Sequence, residues 1–144
     1  MIAFLLAAPT LLAADFGVRA GRYQDAGETF VGAELLLDAG FLNINPNIEY
    51  SLEDDITAGS ANLDLTIDIG RFSAVAPYVG AGVGLLYVDD EIGGETTDPV
   101  GNLIGGVALK LTTLTPYAQV KYFRLLEDDG GDSDEIALTI GLRF

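Results

Sequence analysis

The chain has 144 residues, 49% of them hydrophobic, enough for one folded domain rather than a disordered segment. It contains no cysteine, histidine or tryptophan, which excludes disulfides and thiolate metal sites and removes the commonest general base and transition-metal ligand. A net charge of −15 argues against a nucleic-acid partner, whose binding needs a basic surface.

Residues 1–14 read MIAFLLAAPTLLAA, an apolar run ending in small residues. It is shorter than the roughly 20 residues of a bilayer-spanning helix. The pattern is that of a signal peptide cut short at its basic end, with cleavage near Ala13 or Ala14. A buried N-terminal segment is the other reading. The folded domain then covers residues 15–144.

Eight strand-like segments follow, most with the period-two alternation of a two-faced strand. Residues 16–23 set Phe16, Val18 and Ala20 against Gly17, Arg19 and Gly21. Residues 29–38 set Val31, Ala33, Leu35 and Leu37 against Gly32, Glu34, Leu36 and Asp38. In 42–52, Leu42, Ile44, Ile48 and Tyr50 oppose a face carrying Asn43, Asn45, Asn47 and Glu49. The clearest is 57–69, where Leu63, Leu65, Ile67 and Ile69 alternate with Asn62, Asp64, Thr66 and Asp68. Residues 76–88 put Val79, Ala81, Val83, Leu85 and Tyr87 opposite Tyr78, Gly80, Gly82 and Gly84. Residues 101–111 are weaker, with Leu103, Val107, Leu109 and Leu111 opposite Asn102, Ile104, Gly106 and Lys110. Residues 116–125 set Ala118, Val120 and Tyr122 against Tyr117, Gln119 and Lys121. The last, 134–144, alternates without a slip: Ile136, Leu138, Ile140, Leu142 and Phe144 on one face, Glu135, Ala137, Thr139, Gly141 and Arg143 on the other. Helix periodicity is absent at comparable strength, so the domain is all-β.

The gaps alternate in character. Gaps 24–28, 53–55, 89–98 and 127–135 hold sixteen of the twenty-two acidic residues and no Lys or Arg. Gaps 39–40, 70–75 and 112–115 are short and carry one charge, Arg71. In an up-and-down barrel the two sets share opposite rims, the plan of transmembrane barrels with long loops on one side and tight turns on the other. The expected fold is an eight-stranded antiparallel up-and-down transmembrane β-barrel.

Four features turn the apolar face outward. The polar face lacks the Lys and Glu density of a soluble exterior. Seven glycines (17, 21, 32, 80, 82, 84 and 141) lie on it, suiting the crowded interior of an eight-stranded barrel. Tyr50, Tyr87 and Tyr122 mark one rim of the apolar face and Phe16 and Phe144 the other, as an interfacial girdle would. The charges on that face, Arg22 and Arg124, fall near the acidic rim, where long side chains reach head groups.

The inward charges are then Arg19, Glu34, Asp38, Glu49, Asp64, Asp68, Lys110, Lys121 and Arg143. Their mixed signs predict an ion-pair network filling the lumen, because buried charges need partners; a conductive pathway along the same charges is the alternative. Nothing places a substrate cleft among them. The run from Glu127 to Glu135 is either a solvated loop or a loosely held divalent site, with Asp128, Asp129, Asp132 and Asp134 as the candidate ligands. It lacks the spacing of an EF-hand loop. Arg22 and Arg124 are candidates for contact with lipopolysaccharide phosphates.

With Pro-Tyr-Val-Gly-Ala-Gly-Val-Gly at 77–84, acidic gaps and the terminal Phe144, the chain resembles small bacterial outer-membrane β-barrels built on the plan of the OmpA N-terminal domain and OmpX. The resemblance covers residues 15–144 and implies outer-membrane localisation, with acidic loops extracellular and both termini periplasmic. It also implies membrane lipid and lipopolysaccharide as partners, engagement of the barrel assembly machinery through the C-terminal strand, and a monomer without cofactors. The resemblance is to the barrel of the OmpA plan without its periplasmic domain, so it implies no peptidoglycan binding. The acyltransferase and deacylase barrels that modify lipid A depend on a histidine, which this chain lacks, so a non-enzymatic role is expected. That role is structural or surface-interacting with a filled lumen. Alternatives are a narrow pore or OmpW-like route for small or apolar molecules, and a soluble lipocalin-like binder.

Overall fold

The computed structural model describes residues 13–24, 27–52, 56–70, 74–90, 94–125 and 134–144. Eight strands fill almost all of them: β1 (Ala13–Tyr23), β2 (Thr29–Ala39), β3 (Leu42–Ser51), β4 (Ile56–Asp68), β5 (Val75–Asp90), β6 (Gly94–Leu109), β7 (Thr115–Leu125) and β8 (Asp134–Arg143). Each pairs antiparallel with the next and β8 returns to β1, giving a closed up-and-down barrel. Closure satisfies every strand edge, the requirement for a sheet without water at its flanks. At the seam Val18 faces Leu142, and the Phe16 and Phe144 backbones exchange hydrogen bonds of 3.2 and 2.9 Å.

The β2–β3 connection is the tightest. Gly40 takes φ +86°, a conformation open to glycine, and its N–H donates to Asp38 Oδ1 at 3.0 Å. On the acidic rim, much of the gap expected at 89–98 is strand instead: Asp89 pairs with Glu95 and Asp90 with Gly94. Acidic residues mark water rather than a loop, and Thr96-Thr97, being β-branched, suits an extended hairpin arm. β5 and β6 are thus 16 residues each, against the roughly 9–11 that cross a bilayer as strand; their hairpin, with β4 paired to it as far as Asp90, projects past the end of β7, where Leu125 pairs with Val100. β1 starts at Ala13, opposite Asp38, two residues ahead of the expected domain start.

Side chains sort by parity. Val18, Leu35, Ile48, Leu63, Leu65, Val83, Leu103, Val120 and Ile140 are all exposed on the outer wall, while Asn45, Asn47, Asn62, Asn102 and Gln119 are buried within. Inward glycines sit directly across the ladder from large inward side chains: Gly17 from Glu34, Gly21 from Phe30, Gly32 from Arg19, Gly82 from Asp64, Gly106 from Tyr78 and Gly141 from Tyr117. A Cβ at Gly17 would stand 2.7 Å from Glu34 Oε1, so the missing side chain is the space the carboxylate occupies.

A candidate functional site in the lumen

β1, β2 and β3 direct Arg19, Glu34 and Glu49 inward, and β8 adds Arg143. Glu34 accepts from both arginines: it pairs with the Arg19 guanidinium, and Arg143 Nε donates to its Oε1 at 2.7 Å. Arg19 Nη1 also reaches Glu49 Oε2 at 3.1 Å. A second centre lies across the barrel, where Lys121 Nζ donates to Asp64 Oδ2 at 2.6 Å and Asn102 Nδ2 to Asp64 Oδ1 at 3.2 Å. Asparagines join the two. Arg19 Nη2 donates to Asn45 Oδ1 at 3.1 Å, and Asn47 Nδ2 donates to Asn45 Oδ1 at 3.0 Å and to Asp64 Oδ2 at 2.9 Å.

Three cations, Arg19, Lys121 and Arg143, therefore face three anions, Glu34, Glu49 and Asp64, and all six are buried. Removing a charge from water costs several kcal/mol, and mutual pairing with satisfied hydrogen bonds is what offsets it. The arrangement has no surplus charge to attract an ion of either sign. Asp68 and Lys110 form a separate half-exposed pair at 3.4 Å on the short-turn rim, and Asp38 is exposed there. Asp68 and Lys110 line the mouth, and all three stay apart from the buried network.

Two further layers flank the polar middle. Toward the acidic rim, Phe30, Val100, Phe123 and Ala137 pack with Tyr23 and Leu86. Nearer the short-turn rim, Tyr78, Ile104, Ala108 and Tyr117 pack together, with Arg143 over the Tyr117 ring at 4.0 Å. Sequence reasoning did not single out Tyr23, Phe30 and Phe123 as lumen residues. The signal was present: Tyr23 shares parity with Arg19, Phe30 with Glu34, and Phe123 with Lys121.

On the outer wall Phe16 and Phe144 meet edge to face, centroids 5.7 Å apart. Tyr50 and Tyr87 are both register partners of Gly59, near the opposite rim. Tyr122 lies between Leu103 and Ile136. Arg22 is exposed on that wall, and Arg124 Nε lies 3.8 Å from Asp134 Oδ1. Of the candidate metal ligands, Asp128, Asp129 and Asp132 lie outside the described residues; Asp134 opens β8.

An exterior this apolar far exceeds the few hundred Å² patch a soluble monomer tolerates. With a polar, charge-paired interior it defines the class: an eight-stranded membrane-spanning β-barrel. Solved structures of that fold are similar to it. Neisserial surface protein A is 16% identical with a TM-score of 0.72, over 90% of this chain and 94% of that one. The N-terminal β-barrel of Pseudomonas aeruginosa OprF is 16% identical with a TM-score of 0.73, over 91% and 96%. A de novo designed transmembrane β-barrel matches at 12% identity with a TM-score of 0.57, over 91% and 94%. No family model and no curated protein sequence matches. A designed barrel sharing the fold underlines that the fold alone carries no activity.

Proposed function

We propose that the chain is a monomeric outer-membrane barrel with a structural or surface-interaction role and a lumen closed to solutes. The observation that carries this reading is the charge-balanced, hydrogen-bonded interior: three cations meet three anions, with aromatic layers on both sides. A pore would instead keep a continuous wet path wide enough for its solute. The alternating chemistry of the gaps supports an orientation with the acidic loops extracellular and both termini periplasmic. β8, followed by Phe144, is the strand offered to the barrel assembly machinery. The Tyr and Phe rings near the two rims serve as interfacial anchors.

Function then resides at the acidic rim and the outer wall rather than in catalysis. Arg22 and Arg124 contact lipopolysaccharide phosphates from that wall, and the acidic loops hold bridging divalent ions. Arg22→Ala with Arg124→Ala should weaken lipopolysaccharide co-purification if the arginines make the contact, and EDTA should do so if ions bridge. No change in either case contradicts the corresponding contact. The reading as a whole is tested by fractionating Gram-negative cells that export the chain. The expected product sediments with outer membranes, migrates heat-dependently on SDS gels and gives no open level in planar bilayers. A product that stays soluble without detergent, or a reproducible open level, overturns it.

A further inference from the structure

We propose that the lumen's permeability barrier is the aromatic layer of Tyr23, Phe30 and Phe123, and that the ion-pair network beneath it is a hydrated vestibule reached from the short-turn rim. The proposal rests on the closed-lumen reading and assigns the closure to particular residues. The layer sits at the acidic-loop end: Tyr23 is the last residue of β1, Phe30 the second of β2, and Phe123 the third from the end of β7. Tyr23 stacks against Phe30 with centroids 4.7 Å apart and meets Phe123 edge-on at 6.1 Å. Val100, Ala137 and Leu86 complete the packing. Phe30 is wholly buried and leans over Gly21, where an added Cβ would stand 2.5 Å from its ring.

Below this layer the interior behaves differently. Among the described residues, Arg19 Nε, Asn62 Oδ1, Tyr117 OH and Gln119 Nε2 are buried there without a hydrogen-bond partner; two further such atoms, Ser51 Oγ and Asn102 Oδ1, are level with the layer itself, across from Phe30 and Phe123. An unmet buried polar atom costs about 1–3 kcal/mol unless water satisfies it, and polar sites of this kind hold water. At the opposite end the layer of Tyr78, Ile104, Ala108 and Tyr117 is less complete: Tyr78 and Ala108 line a cavity there together with Asp15, Asn43, Asp68, Lys110 and Arg143. From there polar surface continues through Arg143 to Glu34 and Arg19. Paired charges tolerate water between them; packed rings exclude it, the principle of a hydrophobic constriction. The barrier is therefore the ring layer, not the salt bridges.

Single-channel recording separates the two. Phe30→Ala with Phe123→Ala should open a reproducible conductance level absent from the parent chain. Asp64→Asn with Lys121→Met removes one ion pair together with its charges and should stay closed. Heat-dependent migration reports whether each variant is folded, and Phe123→Ala alone is the second variant should the double one misassemble. A folded ring-layer variant that stays closed overturns the assignment, as does a network variant that conducts. An open level in the parent chain would instead overturn the closed-lumen reading itself.

Discussion

Gly17 facing Glu34, Gly32 facing Arg19 and Gly82 facing Asp64 make the lumen a set of matched large and small positions. The match gives glycine substitutions a sign that depends on the face. A Cβ at Gly82 falls onto the Asp64 carboxylate and near the Leu63 carbonyl, whereas one at Gly105, on the outer wall, meets nothing within 4 Å. Gly82→Val should therefore cost about 1–3 kcal/mol through overpacking. Gly105→Val should be neutral or stabilising, because it adds a β-branched apolar side chain to a lipid-facing strand. Urea unfolding in lipid vesicles measures both. The ion pairs predict a comparable contrast. Lys121→Met alone leaves Asp64 charged and buried, a loss of about 3–5 kcal/mol, and adding Asp64→Asn should restore most of it. Equal losses for single and double variants would contradict the pairing. Parity made Arg19, Glu34, Asp64 and Lys121 legible as lumen residues in the sequence. It did not say that Glu34 meets Arg143 or that Asp64 meets Lys121, because those contacts depend on strand tilt and stagger around the barrel, which no single strand encodes.

At the scale of elements, the alternation of β8 and β4 was plain in the sequence, and the closure of β8 on β1 followed from the even strand count. The projecting β5–β6 hairpin was not, since Asp89, Asp90, Glu95 and Asp98 carry the acidic signature of a loop. A strand that has left the bilayer no longer needs an apolar outer face, so the signal used to find strands disappears where the hairpin enters water. Depth along β6 is thereby testable on one strand and one face. Leu103 and Thr97 are both exposed and share parity, six residues apart. Leu103→Lys should cost about 2–4 kcal/mol, as a charge near the bilayer midplane does, and Thr97→Lys about 0–1 kcal/mol. Equal penalties would mean that the hairpin does not rise out of the lipid.

For the molecule as a whole, an apolar wall outside and a paired polar interior are one design seen from two sides. Turned the other way, the same strands would expose paired charges to water and hide Leu63, Leu65 and Ile67 in a lumen, so the two orientations of the faces make opposite predictions. The absence of tryptophan from the chain lets one introduced indole report on this. Leu65→Trp places it on the outer wall of β4, and Thr97→Trp on the projecting arm of β6. With the folded barrel in vesicles of phospholipids brominated along their acyl chains, fluorescence should be strongly quenched at position 65 and little changed at position 97. Unquenched fluorescence at position 65, in a chain that shows heat-dependent migration, would contradict a lipid-facing wall.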